Sequence, residues 1–214
     1  MGLNRRNHDE FNTMLIGPRY KKARYLGAAV FRKTQTPKYA MRAQTKAKTI
    51  KRRGQKSEYG RQLLEKQKAR YSYGVSSGQF SNYVKSVLRT KGDNAENLVH
   101  ILEGRLDNVA LRAEFATSRA AARQMVSHGH LCVNGKIVNI PSYQVRLGDV
   151  ITIREGSKNK AIFGKLNDEI TNIKLPAWIS VDARKKEIKI TGEPTTDVEE
   201  LLFDVQSVLE FYTR

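Results

Sequence analysis

The chain has 214 residues, enough for one large or two small domains around a real hydrophobic core. A hydrophobic share of 39%, a charged share of 28% and a net charge of +18 imply that part of it does not form core and that its partner is a polyanion. No apolar stretch approaches the roughly 18 residues that span a bilayer, the start lacks a signal-peptide pattern, and the lone Cys132 excludes an internal disulfide and a cysteine-based zinc site, so a soluble intracellular protein is expected.

The charge is concentrated at the front. The first 75 residues carry 20 Lys and Arg against 4 Asp and Glu, and between Phe11 and Ser57 there are 14 basic residues and no acid. Such a run repels itself until a polyanion neutralises it. A short basic run is usually a solvated tail, but this one is long and interleaves Tyr20, Tyr25, Phe31 and Tyr39, rings on which bases can stack. Gly17, Pro18, Gly27 and Pro37 interrupt it too often for a membrane-surface helix. Residues 1–56 are therefore expected to form a basic extension, with short helical pieces between Tyr39 and Lys48, that orders only on nucleic acid. Lys51, Arg52 and Arg53 within it are candidate RNA contacts.

From Ser57 to about Tyr71 the pattern reads as a charged helix with a narrow apolar stripe of Tyr59, Leu63, Leu64 and Tyr71, and with Lys66, Lys68 and Arg70 as candidate contacts. Ser76 and Gln79 have capping-box spacing, and Phe80, Tyr83, Val84, Val87 and Leu88 follow on one helical face. Lys91 to Asn94 mark a loop and a domain boundary. One helix is expected from Ala95 to Ala113, burying Leu98, Ile101, Leu102, Leu106 and Val109. A shorter one, capped by Thr117 or Ser118, ends at His128, with Gly129 suited to the left-handed position beyond it.

After Gly129 the period changes. Leu131–Val133, the Asn134-Gly135 turn and residues 136–139 form a hairpin pattern, and Val150–Arg154, Trp178–Val181 and Glu187–Ile190 read as further strands. Asp197 to Tyr212 is expected to be an amphipathic helix presenting Val198, Leu201, Leu202, Val205, Val208 and Leu209, packed on the early basic helices or on the second domain.

The segments Arg105-Leu-Asp-Asn-Val109, Ser118-Arg-Ala-Ala-Ala-Arg-Gln-Met-Val126, His128-Gly-His130, Val133-Asn-Gly-Lys136, Ile140-Pro-Ser-Tyr-Gln-Val145 and Gly148-Asp149 resemble, in order and spacing, the small-ribosomal-subunit protein four family. Leu64-Glu-Lys-Gln-Lys68, Tyr73-Gly-Val75, Gln79-Phe80 and Leu209-Glu-Phe-Tyr212 extend the resemblance over roughly residues 57–214. It implies an α+β fold: a helical domain at 57–93, on which residues 191–214 pack back, and an inserted RNA-binding module at 94–190 made of a helix hairpin and a small antiparallel sheet. It further implies direct binding of small-subunit ribosomal RNA at a multi-helix junction early in assembly, a contribution to decoding accuracy, neighbouring small-subunit ribosomal proteins, messenger RNA at the entry site, and a cytoplasmic ribosome, an organellar one staying open. Many relatives carry an N-terminal cysteine cluster for zinc or a Pro-Gly-Gln-His-Gly element; here Gly54-Gln55 is the nearest trace, and no zinc is carried over.

Arg119 and Arg123, four apart on the short helix, project from one side as exposed guanidinium forks that suit phosphate, so truncating them is expected to cost little stability. Ser118 adds a capped helix start with free backbone donors. Beside these we place Arg105, His128, His130, Asn134, Lys136, Tyr143 and Arg146 as candidate RNA contacts, although Tyr143 could equally be core and two charges on a helix are commonly just solvated. His128 and His130 lack partners at metal-ligand spacing. Asp107 reads as the partner of Arg105 in a structural ion pair. No Gly-rich phosphate loop or nucleophile constellation is present, so no catalysis, cofactor or membrane is expected. The helix-hairpin module also recurs in other proteins that handle RNA, which leaves two rivals: an RNA-modifying enzyme with the same module, and a non-ribosomal RNA chaperone.

Overall fold

The structure is a computed structural model, and it describes residues 16–49, 57–163, 175–182, 184–196 and 200–214. The front of the chain is more ordered than its charge suggests. Pro18 precedes helix α1 (Arg19–Leu26), Gly27 ends it at a φ of 70°, and α2 (Pro37–Thr49) starts on a proline that needs no N–H partner. Ala23, Leu26, Val30 and Phe31 bury together with Leu64 from the next helix, and Tyr39 and Tyr71 pack beside them. Lys22 donates to the Tyr71 hydroxyl at 2.9 Å. The expectation that this segment packs only around an anion is thus corrected: Arg19, Lys21, Arg24, Arg32, Lys33 and Lys38 face solvent, where repulsion is screened, while the sparse apolar residues turn inward. Lys51, Arg52 and Arg53 lie outside the described residues.

Helix α3 (Glu58–Tyr73) is capped by Ser57, whose hydroxyl accepts from Gly60 N–H, and α4 (Ser77–Val87) by Ser76, which accepts from Gln79 N–H. Asp93 caps α5 (Asn94–Glu103). The single helix expected to Ala113 is instead broken at Gly104 and Arg105, and α6 (Leu106–Arg112) starts afresh. Arg105 is extended, at φ −72° and ψ 136°, and bridges to Gln144. A side chain on Gly104 would meet the His100 carbonyl and Gln144 Oε1 at 3.0 Å, so anything larger than glycine would push the end of α5 and the Gln144 loop apart.

That break separates two cores. Leu98 and Leu102 of α5 join Ala69, Tyr73, Val75, Phe80, Val84 and Val87 in a helical core. The division expected at residue 94 therefore falls inside this core. Phe203, Val205, Val208 and Leu209 close the same core, carried by the C-terminal helix α8 (Val205–Thr213), which lies along α3. The tail helix is shorter than expected because Asp204 caps it, accepting from the N–H groups of Gln206 and Ser207; Leu202 is left exposed, and Val198 is outside the described residues.

The second core gathers Leu106, Val109 and Ala110 of α6 and Ala122, Met125 and Val126 of α7 (Arg119–Ser127) against an antiparallel sheet. Its strands β1 (Leu131–Val133), β2 (Lys136–Ile137), β3 (Val150–Ile153), β4 (Ile179–Asp182) and β5 (Glu187–Ile190) lie in the order β2-β1-β3-β5-β4. Alternation on β3 and β5 turns Ile151, Ile153, Ile188 and Ile190 inward, where each stabilises the fold by about 1.5–3 kcal/mol. Cys132 is buried on β1. Asn134 and Gly135 both adopt positive φ, 49° and 78°, as a two-residue hairpin turn requires.

Candidate nucleic-acid interface

The arginines singled out in the sequence do not share one environment. Arg105 is completely buried, its Nε and Nη2 donating to the two oxygens of Asp107 at 3.0 and 2.6 Å and its Nη1 to Tyr83 at 2.8 Å. A side chain so enclosed, and gripped by Asp107 on two of its nitrogens, presents no face to RNA, so its assignment as a contact is corrected to a structural ion pair at the break between α5 and α6.

Glu103, also fully buried, is the hub next to it. It accepts from the Tyr73 hydroxyl at 2.6 Å, Asn108 Nδ2 at 2.7 Å, and Arg112 Nη2 and Nε at 2.9 and 3.0 Å. Burial alone would raise its pKa, but the hydrogen bonds and charge of Arg112, followed by Tyr73, outweigh it and hold the carboxyl below its usual range. Burial first, and then the Glu103 charge, pushes the Tyr73 phenol well above its ordinary value. Arg112 reaches on to Glu200 at 3.2 Å and Thr196 at 3.0 Å.

Arg119 and Arg123 belong to this junction. Arg119 donates to Asn108 Oδ1 at 3.0 Å and lies over the Tyr73 ring at 4.9 Å, and burial lowers its pKa. Arg123 donates to the Gly74 carbonyl at 3.1 Å, taking up a helix-end acceptor of α3. Both residues therefore tie α7 to the helical core and are not the exposed forks that their spacing suggests. Ser118 is the N-cap, its hydroxyl accepting from Ala121 N–H at 3.3 Å.

The hairpin side is different. Asn134 donates through Nδ2 to Asp149 at 2.8 Å and accepts from Val150 N–H at 2.9 Å, while the other Asp149 oxygen accepts from Arg146 N–H at 2.8 Å. Its amide is thus committed to the turn, and its effect is to hold the hairpin beside the loop that carries Arg146. Lys136 and Arg146 are exposed, and no carboxylate pairs with them among the described residues. Tyr143 is half-buried against the second core.

His130 contacts Ser157 Oγ through Nδ1 at 2.9 Å and meets Phe163 edge-on, with the His128 ring 5.9 Å away. Burial, then the charges of Lys160, His128 and Arg154, lower the His130 pKa, which keeps the ring neutral at pH 7. Arg154 and Lys160 are exposed cations of this patch that no sequence motif marked; they follow β3 and become neighbours of His130 only in the folded sheet.

On α3, Lys66 lies 4.2 Å from the Phe211 ring and 5.2 Å from the Tyr212 ring, Lys68 pairs with Glu65 at 2.6 Å, and Arg70 stacks on Tyr71 at 4.7 Å. Lys66 is thus committed to the α3–α8 contact, while Lys68 and Arg70 are engaged by neighbours on α3 itself. Among the described residues no group of three His, Cys, Asp or Glu could hold a metal, and no helix is long and apolar enough to cross a membrane.

A helical core closed by the last helix, a helix hairpin on a five-stranded sheet, and a lock of buried arginines and carboxylates between them define a basic α+β scaffold with exposed cations on both parts. The ribosomal protein S4/S9 N-terminal domain matches residues 14–103 and the S4 domain residues 104–151, so the two meet at the Gly104 break. Small ribosomal subunit protein uS4 of Chromobacterium violaceum is 43% identical over 204 residues, covering 93% of this chain and 98% of the relative. Its counterpart from Chlorobium limicola is 46% identical over 167 residues, covering 76% and 80%, and protein uS4A of Psychromonas ingrahamii is 40% identical over 204 residues, covering 93% and 98%. The chain belongs to the ribosomal protein S4 family.

Proposed function

We propose that this protein is a structural, non-catalytic constituent of the small ribosomal subunit that binds small-subunit ribosomal RNA directly and holds a multi-helix junction together early in assembly. The observation that carries this reading is the match with ribosomal relatives over 93% of the chain, combined with cations displayed on a rigid frame. α1 and α2 present a face without acids, the hairpin presents Lys136 and Arg146, and the sheet end presents Arg154 and Lys160 beside the exposed His128 ring. Because the Glu103 network fixes the two cores to each other, these cations form a preset pattern, and RNA helices that match it approach one another as their charge is neutralised.

Lys51, Arg52 and Arg53 belong to the same basic segment by sequence and are proposed as further RNA contacts. The two cores divide the chain at Gly104, with residues 200–214 returning to the first. We place the protein on the cytoplasmic ribosome, beside other small-subunit proteins and the messenger RNA entry, where a fixed scaffold contributes to decoding accuracy.

The test is sedimentation of the tagged protein with small subunits, combined with RNA binding across a salt series. Co-sedimentation and a steep linear fall of log affinity with log salt are expected. A protein that stays at the top of the gradient, or that binds unrelated structured RNAs equally well, contradicts the proposal and favours the chaperone reading.

A further inference from the structure

The aromatic residues of the basic segment fall into different environments once folded. Phe31 is 6% exposed inside the small cluster on α3 and is unavailable to a partner. Tyr20, on α1, is 52% exposed, and its ring stacks on Tyr39 of α2 with centroids 5.8 Å apart and planes 30° apart. Single exposed rings are ordinary on a protein surface, but here the exposed Tyr20 ring is held nearly parallel to the half-buried Tyr39 ring. Arg24 stands beside it, donating to the Tyr20 carbonyl at 3.3 Å and close enough to Tyr39 for its charge to act on the phenol. No acidic residue lies anywhere between Phe11 and Ser57.

The geometry points to the Tyr20–Tyr39 pair, flanked by Arg24, as a stacking site for an unpaired RNA base. The inference rests on the proposed binding of ribosomal RNA and adds to it a nucleotide class and a site. An all-cationic surround selects a polyanion, a flat ring selects a flat ligand, and a base has a free face only where it leaves the duplex, at a bulge, loop or strand end. Phosphates on either side of that base would meet Arg24 and its neighbours, whereas an acidic protein segment would gain charge pairing and leave the ring faces unused.

The experiment uses the full chain and its small-subunit ribosomal RNA. A Tyr20→Ala, Tyr39→Ala double variant is expected to bind about 5- to 150-fold more weakly with an unchanged salt slope, because stacking releases no counterions. Tyr20→Phe, Tyr39→Phe, which keeps both rings, is expected to bind like the parent. Ultraviolet crosslinking of the parent should join Tyr20 or Tyr39 to a nucleotide that is unpaired in the RNA. Since Tyr39 also touches the small cluster, thermal melting accompanies each variant, and Tyr20→Ala alone serves if the double variant melts early. Full affinity in the alanine variants, an equal loss in the phenylalanine variant, or crosslinks to a paired nucleotide or a neighbouring protein would overturn the site. Failure of the parent itself to bind small-subunit RNA would instead overturn the functional reading beneath it.

Discussion

Two arginine-rich regions of this molecule use the same residue for opposite ends. Around the α5–α6 break, Arg105 is buried against Asp107, the half-buried Arg112 grips the buried Glu103, and Arg119 and Arg123 bond to groups beside the seam of the two cores. In α1 and α2 the basic residues have no acid within the segment, and Arg19, Lys21, Arg24, Lys38 and Arg42 stand in solvent. Charge whose partner lies within the chain builds the fold; charge without one is left for another molecule. The contrast predicts that substitutions in the first region change stability, and through it RNA binding, while those in the second change RNA binding alone.

The largest effect is expected at Glu103. Glu103→Ala leaves the buried Tyr73 hydroxyl and Asn108 amide without this acceptor and breaks the partly buried ion pair with Arg112, and should cost about 3–5 kcal/mol in urea unfolding. A loss under about 1 kcal/mol would break the comparison. The same carboxyl gives a pH test. Its folded pKa lies below the ordinary 4.5, so the folded state holds fewer protons there than the unfolded chain; its stabilisation is whole above that value and is lost as pH falls through the folded pKa. Unfolding monitored between neutral and strongly acid pH should therefore show a shallower acid limb in Glu103→Gln than in the parent.

Arg119→Ala and Arg123→Ala come next. Arg123 loses its hydrogen bond across the junction to Gly74, and Arg119 loses a bond to Asn108 within the second core together with its stacking across the junction on Tyr73; each should cost about 1–3 kcal/mol. Melting curves that match the parent would return both residues to the class of solvated charges. The smallest stability effect belongs to Lys136→Ala and Arg146→Ala, within about 0.5 kcal/mol. There the log–log salt slope of RNA binding should drop by about one per cation removed, which sharpens the comparison from the other side.

The local grammar of the fold was legible because its causes are local. Ser57, Ser76 and Ser118 cap the helices they precede, Asn134-Gly135 turns the hairpin, and Gly129 takes the positive φ that ends α7. What was hidden depends on distant neighbours. Nothing near Gly104 in sequence shows that Gln144 and Pro194 will crowd it, so a continuous apolar stripe reads as one helix although it serves two cores. Likewise the spacing of Arg119 and Arg123 puts them on one side of a helix but cannot say that Tyr73 and Gly74 occupy that side. In the basic segment the density of lysine and arginine masked Ala23, Leu26, Val30 and Phe31, four residues too few for a stripe and sufficient for a cluster once Leu64 is supplied.

The return of α8 to the helical core has a consequence for the order in which the protein comes into being. Val84, Leu98 and Leu102 are made early, yet the residues that cover them, Phe203 to Leu209, are translated about a hundred residues later. While the second domain is being added, the first helices present an open apolar groove that only residues 203–209 fill. Late in synthesis, then, the nascent chain is half finished in an unusual sense, its inserted part able to collapse locally while its first part waits. A chain stopped at residue 200 should bind a hydrophobic dye strongly and lose that binding when a peptide covering 201–214 is supplied.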